Sequence, residues 1–328
     1  MGEKRWSIIT KKDTMLHVMN NIFKQNVRAS MTKENILKLV PGLYKGENLV
    51  ELIKMLSYES YQVLENILKC LEKGMELSNV IQDIEYEYLE ELGDAMILVT
   101  RTCGRDIEYT MTLNANDLAP IFSDENKKLA KRYDKIEKIV KGLVYSYGAV
   151  EIESFRKLVC KCMHEIIPEE NMYYFIFTRL NLNLFLRYHY IHWENSGQDE
   201  CYLSYLDSEE VDVSEIAAEQ KSRGLKYKSF KEKDVLSREE YFWNEASQKF
   251  YEYLKGKNES LNEEEFKLFI KRNELGEDIL DDLIRVACIF DLEEANEFMA
   301  KFMEWYNNSP QYFLGGYTPA EMMRVKMQ

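Results

Sequence analysis

Three groups of residues in this chain have types and spacings that can do chemistry. The first is the run Cys160, Cys162 and His164, with His189 and His192 further along. Zinc takes four nitrogen or sulfur ligands in a tetrahedral array. Residues i and i+2 of a helix point about 200° apart, so a helical C-x-C-x-H run scatters its donors. The reading is buried or half-buried thiols, the usual state of free Cys, with no metal and no cofactor. The second group is Lys226, Tyr227, Lys228 and Lys231 in KSRGLKYKSFKEK, which carries six basic residues against one Glu. Cations interleaved with aromatics suit phosphate and single-strand contact. The same run also reads as a solvated loop that balances the acidic segment before it. The third group is NVIQDIEYEYLEELG, where Asp83, Glu85, Glu87, Glu90 and Glu91 surround Tyr86 and Tyr88 without one Lys or Arg.

Catalysis has few handholds. The chain has four His and no H-E-x-x-H, P-loop, G-x-S-x-G or G-x-G-x-x-G signature. With 57 acidic residues, carboxylate pairs arise by chance along its whole length. His17 lies in a helical pattern and His164 near a helix end, where structural roles suffice. The expectation is a protein that is not an enzyme.

The elements that must position these groups follow from periodicity. Residues 4–29 read as an amphipathic helix with Met15, Val18, Met19, Ile22 and Phe23 on one side. Thr32 is an N-cap for a helix that Pro41-Gly42 ends, and Leu49, Leu52, Ile53 and Leu56 face inward from the next. Tyr61, Leu64, Ile67 and Leu68 mark a helix ending near Gly74, and Leu77 to Leu92 reads as one more. AMILVTRTCGRDIEYTMTL then changes period to two β-rich runs around Gly104-Arg105-Asp106, which is hairpin chemistry. Helices followed by a hairpin are the outline of a winged helix. The outline repeats: a helix over Lys127 to Tyr147, a second with Ile152, Phe155, Leu158 and Val159, a third opened by Pro168, and FLRYHYIHWENSGQDECYLSYL as strand, turn, strand. Beyond the acidic and basic stretch 207–238 the chain is helical, with Asn262/Glu265 as a near capping box and Thr318-Pro319-Ala320-Glu321 as a full one.

The expected fold is therefore mainly α with small β-hairpin wings, an α+β multidomain chain. Its parts are a basic helical module (1–56), two winged-helix-like units (57–122 and 123–206), a charged linker (207–238) and a helical C-terminal domain (239–328). The 14 Gly and 5 Pro among 328 residues are few, in keeping with helix. No apolar run nears the ~18 residues of a membrane span. The start lacks the apolar core of a secretory signal, and six scattered Cys fit a reducing cytoplasm. No membrane contact is expected.

Electrostatics decides between partners. The net charge is −14, yet residues 1–54 carry ten basic and five acidic side chains. A helix that reads DNA presents Arg, Lys, Asn or Gln to base edges. The first unit offers Asp83, Glu85, Glu87, Glu90 and Glu91 instead, repulsive to phosphate even when salt screens charges beyond ~8 Å. Tyr86 and Tyr88 beside those carboxylates suit a protein interface. The second unit offers Arg179 against Glu169 and Glu170, and a wing with Arg187, His189, His192 and Trp193. The first expectation is an acidic adaptor, regulator or inhibitor engaging a basic protein, such as a nucleic-acid-processing enzyme. The second is a nucleic-acid-associated regulator touching phosphates through residues 1–54, 221–233 and the second wing, including Arg179, Arg187, Lys226, Tyr227, Lys228 and Lys231. An enzyme of unrecognised type is the third.

Two stretches carry family resemblances. MTKENILKLVPGLYKGENLVELIKML resembles the helix–extended–helix module at the N-terminus of the transcription terminator Rho, itself similar to SAP modules, a family that often binds nucleic acid. Here Glu34, Glu47 and Glu51 offset Lys33, Lys38, Lys45 and Lys54. Asn307-Asn308-Ser309-Pro310 with Gly315-Gly316-Tyr317-Thr318-Pro319-Ala320-Glu321 is similar to the segment that precedes a SecA C-terminal-type zinc knuckle in many bacterial proteins. YKSFKEKDVLSREEYFWNEASQKFYEYL looks like a segment of Firmicutes and phage proteins that carry a Rho-type N-terminus. The Cys-rich knuckle itself is not in this sequence, so the resemblance implies architecture and no zinc role.

Overall fold

The computed structural model describes residues 7–167, 187–193, 197–204, 213–224, 226–236, 243–273, 279–287, 289 and 291–325. They are mainly helical, with two three-stranded antiparallel sheets. The chain divides into two compact units. The described part of the first is 7–137; the second takes 138–167 and the described residues from 187 onward.

In the first unit, β1 (Ser7–Ile8) and α1 (Lys12–His17) lead into a wide helical turn over Val18–Ile22. Then come α2 (Lys33–Leu37), α3 (Val40–Leu43), α4 (Leu49–Met55), α5 (Tyr58–Glu72), α6 (Leu77–Ile81) and α7 (Tyr86–Asp94). The hairpin β2 (Leu98–Cys103) and β3 (Asp106–Met111) turns at Gly104, whose φ of +65° favours glycine. Its register runs from Leu98↔Met111 to Cys103↔Asp106, and β1 adds to the outer side of β2. After α8 (Ala115–Leu118), the helix α9 (Asp124–Tyr147) contains the division between the units.

Local chemistry accounts for these elements. Thr32 and Ser57 accept from the backbone N–H three residues on, at 3.4 and 3.0 Å, and so cap α2 and α5. Tyr61, Leu64, Ile67 and Leu68 fall on one face of α5 and are buried. One apolar cluster runs from Ile8 to Ala130, so the expected module 1–56 and the expected unit 57–122 share a single core. Two buried phenols pin distant segments within it: Tyr44 donates to the Ala95 carbonyl at 2.6 Å, and Tyr61 to that of Ile121 at 2.8 Å.

Three expectations for this region need correction. Residues 7–22 are a short strand, a helix and a wide turn, with no continuous helix over 4–29; Lys24 and Asn26, at φ +55°, break the path beyond. Pro41-Gly42 does not end helical structure but sits in the first turn of α3, where a proline's missing N–H costs nothing. The stretch 77–92 is two helices separated at 82–85, with Glu85 extended at the start of α7.

In the second unit, β4 (Ala149–Glu151) precedes α10 (Ile152–Met163), and β5 (Arg187–Trp193) and β6 (Gln198–Ser204) form the expected hairpin. The strand order is β4-β6-β5, so the strand before the helix pairs with the last strand of the hairpin, Ala149 opposite Ser204. The Pro168 helix lies outside the described residues. Further helices follow at Val213–Ser222, Glu232–Leu236, Glu245–Lys257, Glu263–Asn273, Ile279–Val286, Leu292–Asn308 and Pro319–Val325. Phe250, Phe266, Phe298, Phe302 and Trp305 dominate their core. The capping box at Thr318 is complete: Glu321 N–H donates to Thr318 Oγ1 at 3.1 Å, and Thr318 N–H to Glu321 Oε2 at 2.9 Å.

The expected linker also needs correction. Over 213–222 it is a helix burying Val213, Ile216, Ala217 and Gln220. Over 226–231 it is an extended strap fastened to the unit by long-range bonds, Lys228 N–H donating to the Gly315 carbonyl at 3.0 Å. Backbone polar groups that leave water need such partners, and here a distant turn supplies them.

Candidate functional site

The acidic stretch of the first unit forms one surface. Between Lys73 and Arg101 the sequence holds no basic residue. Leu89 and Leu92 turn α7 toward the core, which leaves Asp83, Glu85, Glu87 and Glu90 exposed around Tyr86, itself 62% exposed. Tyr88 is half-buried; burial, then Glu85 and Glu87, push its phenol up. Glu91 departs from the group. It turns inward and accepts from Ser57 N–H at 2.9 Å and Ser57 Oγ at 2.7 Å, so it caps α5. Carboxylates at the C-terminal end of a helix also oppose its dipole, which concentrates negative potential there.

Asp94 lies in the last turn of α7 and is partly buried. Burial, then Glu90, pushes its carboxyl up to about 6, with Lys11 opposing. A carboxyl whose folded value lies above the unfolded value of about 3.9 binds its proton more tightly when folded. Its stabilising contribution is then full below about pH 4 and lost as pH rises through about 6. Asp94→Asn should therefore stabilise the first unit at pH 7.5 by about 1–2 kcal/mol, discounted for partial exposure, and by much less at pH 4.5. Urea unfolding at both pH values checks this; an equal gain at the two would refute it.

The cationic candidates of the second unit differ in exposure and in the contacts they make. The Tyr227 hydroxyl donates to Gln220 Oε1 at 3.2 Å and accepts from Glu151 N–H at 3.3 Å, and its ring packs on Tyr147 with centroids 5.0 Å apart. Lys228 Nζ donates to both oxygens of Glu321 at 2.8 Å and lies 5.3 Å from the centre of the Phe230 ring. Its carbonyl accepts from the Tyr147 hydroxyl at 2.7 Å. Lys226 and Lys231 stay exposed. On the wing, Arg187 is exposed, His189 bonds Ser204 Oγ at 2.8 Å, and His192 bonds Asp199 at 2.7 Å. Trp193 Nε1 donates to Glu200 at 2.8 Å, beneath the Lys221 ammonium. Arg179 lies outside the described residues.

The thiol run sits on α10 and its end. Cys162 is buried, Cys160 is half-buried with the Ile167 N–H donating to its sulfur at 3.3 Å, and His164 is exposed at φ +53°. Among the described residues, no group of three His, Cys, Asp or Glu side chains is placed to hold a metal ion, and no helix is long and apolar enough to cross a membrane.

Sequence reasoning missed an open cleft of about 540 Å³ between the helices Glu245–Lys257 and Leu292–Asn308. Phe250 and Trp305, stacked 5.0 Å apart, form its floor, and Lys249, Glu252, Lys301 and Glu304 its rim. Lys249 is paired with Glu245 at 2.7 Å. The rim alternates in sign, and Glu304 and Glu252 lie near enough to Lys249 to favour its charged form alongside Glu245. The i, i+3 and i+4 spacing of those charges was the available signal, but it marks any solvated helix equally. Compared with protein-family models, curated proteins and solved structures, the chain matches none.

Proposed function

We propose that the protein is a non-catalytic adaptor, regulator or inhibitor whose acidic, tyrosine-centred face engages a basic protein. The observation that carries this reading is the exposure of Asp83, Glu85, Glu87 and Glu90 around Tyr86, with no basic residue in that stretch of chain. Complementary charge speeds encounter and selects partners, and an exposed tyrosine among polar groups supplies the anchor such interfaces favour. The engagement of Tyr227 and Lys228 inside their own unit weakens the phosphate-contact alternative. That alternative keeps Lys226, Lys231 and Arg187, which are exposed. The strand order β4-β6-β5 with a helix before the hairpin supports a winged-helix-like reading of the second unit. The first sheet, ordered β1-β2-β3, lacks that arrangement.

The test compares the full chain with Glu85→Lys/Glu87→Lys/Glu90→Lys in affinity capture from the native host. A protein partner of high isoelectric point should be retained by the parent and lost by the variant. Titrations with duplex DNA and single-stranded RNA at physiological salt should show no binding. A partner retained equally by both chains, or nucleic-acid binding that falls steeply with salt, overturns the proposal.

A further inference from the structure

The cleft between the helices Glu245–Lys257 and Leu292–Asn308 keeps unmatched polar groups over an aromatic floor. Its volume of about 540 Å³ lies in the range of small-molecule sites, about 300–1,000 Å³. Phe250 and Trp305, the floor, are buried. Tyr253 on the wall has a buried hydroxyl with no hydrogen-bond partner among the described residues. Buried phenols ordinarily have one. Burial, then Glu297, pushes this phenol up, so it keeps its proton as a donor at neutral pH.

Lys301, Glu252 and Glu304 on the rim form no ion pair among the described residues, whereas Lys249 is held by Glu245 at 2.7 Å. The two helices run antiparallel here: Lys257 meets Glu297 at 3.5 Å, and Phe250 stacks on Trp305 at 5.0 Å. Tyr253 and Lys301 fall between those two contacts in sequence, so they face each other across the cleft. Together they offer a donor hydroxyl and an ammonium, which suit a carboxylate. Glu304, one turn from Lys301 and about 5–6 Å away at Cβ, suits an ammonium. A lone anion would be opposed by Glu304 and Glu252, and a lone cation by Lys301. A zwitterion satisfies both signs, and a ring on it packs against the Phe250 and Trp305 floor.

We propose that this cleft binds a free aromatic α-amino acid, with its ring on Phe250 and Trp305, its carboxylate on Lys301 and Tyr253, and its ammonium on Glu304. The site lies within the second unit and does not rest on the acidic face of the first.

The experiment titrates the full chain calorimetrically with L-phenylalanine, phenethylamine, hydrocinnamate and L-alanine. The last three lack, in turn, the carboxylate, the ammonium and the ring. L-Phenylalanine should bind at one site per chain with a Kd below about 1 mM. Each of the other three should bind at least tenfold more weakly. Lys301→Met should weaken L-phenylalanine at least tenfold and Lys301→Arg much less, while Tyr253→Phe, which removes one oxygen, should weaken it at least threefold. Circular dichroism and the urea midpoint show that the variants are folded. Saturating L-phenylalanine should raise the urea midpoint of the parent chain and leave that of Lys301→Met where it was, because a ligand stabilises only the state that binds it. No saturation below about 1 mM overturns the proposal. So does hydrocinnamate, phenethylamine or L-alanine binding as tightly as L-phenylalanine, or an unchanged affinity in folded Lys301→Met or Tyr253→Phe.

Discussion

Phe250→Ala is expected to destabilise the second unit by about 3–5 kcal/mol, the range for deleting a buried phenyl ring from a packed core. The ring is buried at 2% exposure beneath the cleft, stacked on Trp305 at 5.0 Å and 10° and flanked by Phe298, Phe302 and Phe266 at 6.0–6.3 Å. Few of these neighbours can close the gap, because each is a rigid aromatic already held by another. Phe302, for example, packs on both Trp305 and Tyr306. Three of the four tryptophans, Trp193, Trp243 and Trp305, belong to the second unit and only Trp6 to the first, so tryptophan fluorescence is dominated by unfolding of the second unit. At a urea dependence of about 1–3 kcal/mol per molar, the midpoint should fall by 1 M or more. Phe250→Leu, which keeps most of the apolar volume, should lose well under half as much. A shift of only a few tenths molar would show that this cluster does not hold the C-terminal helices together.

What the sequence disclosed depends on the range of the interaction. Features fixed within a few residues were legible. The turn at Gly104, the N-cap at Thr32 and the Thr318/Glu321 box all close local hydrogen bonds, and residue types with fixed preferences mark them. The split of 77–92 was hidden because it preserves phase. Ile81, Leu89 and Leu92 stay within about 80° of one another on a continuous helix, so periodicity cannot register the break. Strands of two and three residues, β1 and β4, are too short to alternate visibly. The strap was misread for a different reason. Its composition is that of a solvated basic loop, but its partners are Tyr147, Gly315 and Glu321, some eighty or ninety residues away in sequence. A lysine that lies along an aromatic ring and ends on a carboxylate has the same one-letter code as one in water. The acidic face was legible as composition. That Glu91 leaves it to cap α5 was not, since Ser57 lies 34 residues earlier.

The strap and the Tyr312 turn meet around Gly148, and this is where a single methyl group should do the most harm. Gly148 has φ +67°, and a Cβ built there would lie 2.6 Å from Tyr312 Cγ, closer than real carbons approach. Gly148→Ala thus incurs about 1–2 kcal/mol for a left-handed backbone with a side chain and about 1–3 kcal/mol for overpacking. Tyr312 cannot step aside cheaply. It is 1% exposed, and its carbonyl accepts from Gln220 Nε2 at 2.8 Å while the same amide donates to the Tyr147 carbonyl at 3.0 Å. Displacing the turn would therefore disturb two buried bonds whose groups have left water. The expected loss is about 2–5 kcal/mol in the second unit, read by tryptophan fluorescence in urea. A double-mutant cycle separates the causes. In a Tyr312→Ala background the overpacking vanishes and only the backbone cost remains, so Gly148→Ala should then cost about 1–2 kcal/mol, with the difference appearing as coupling. Strictly additive losses would mean that the two residues do not press on each other.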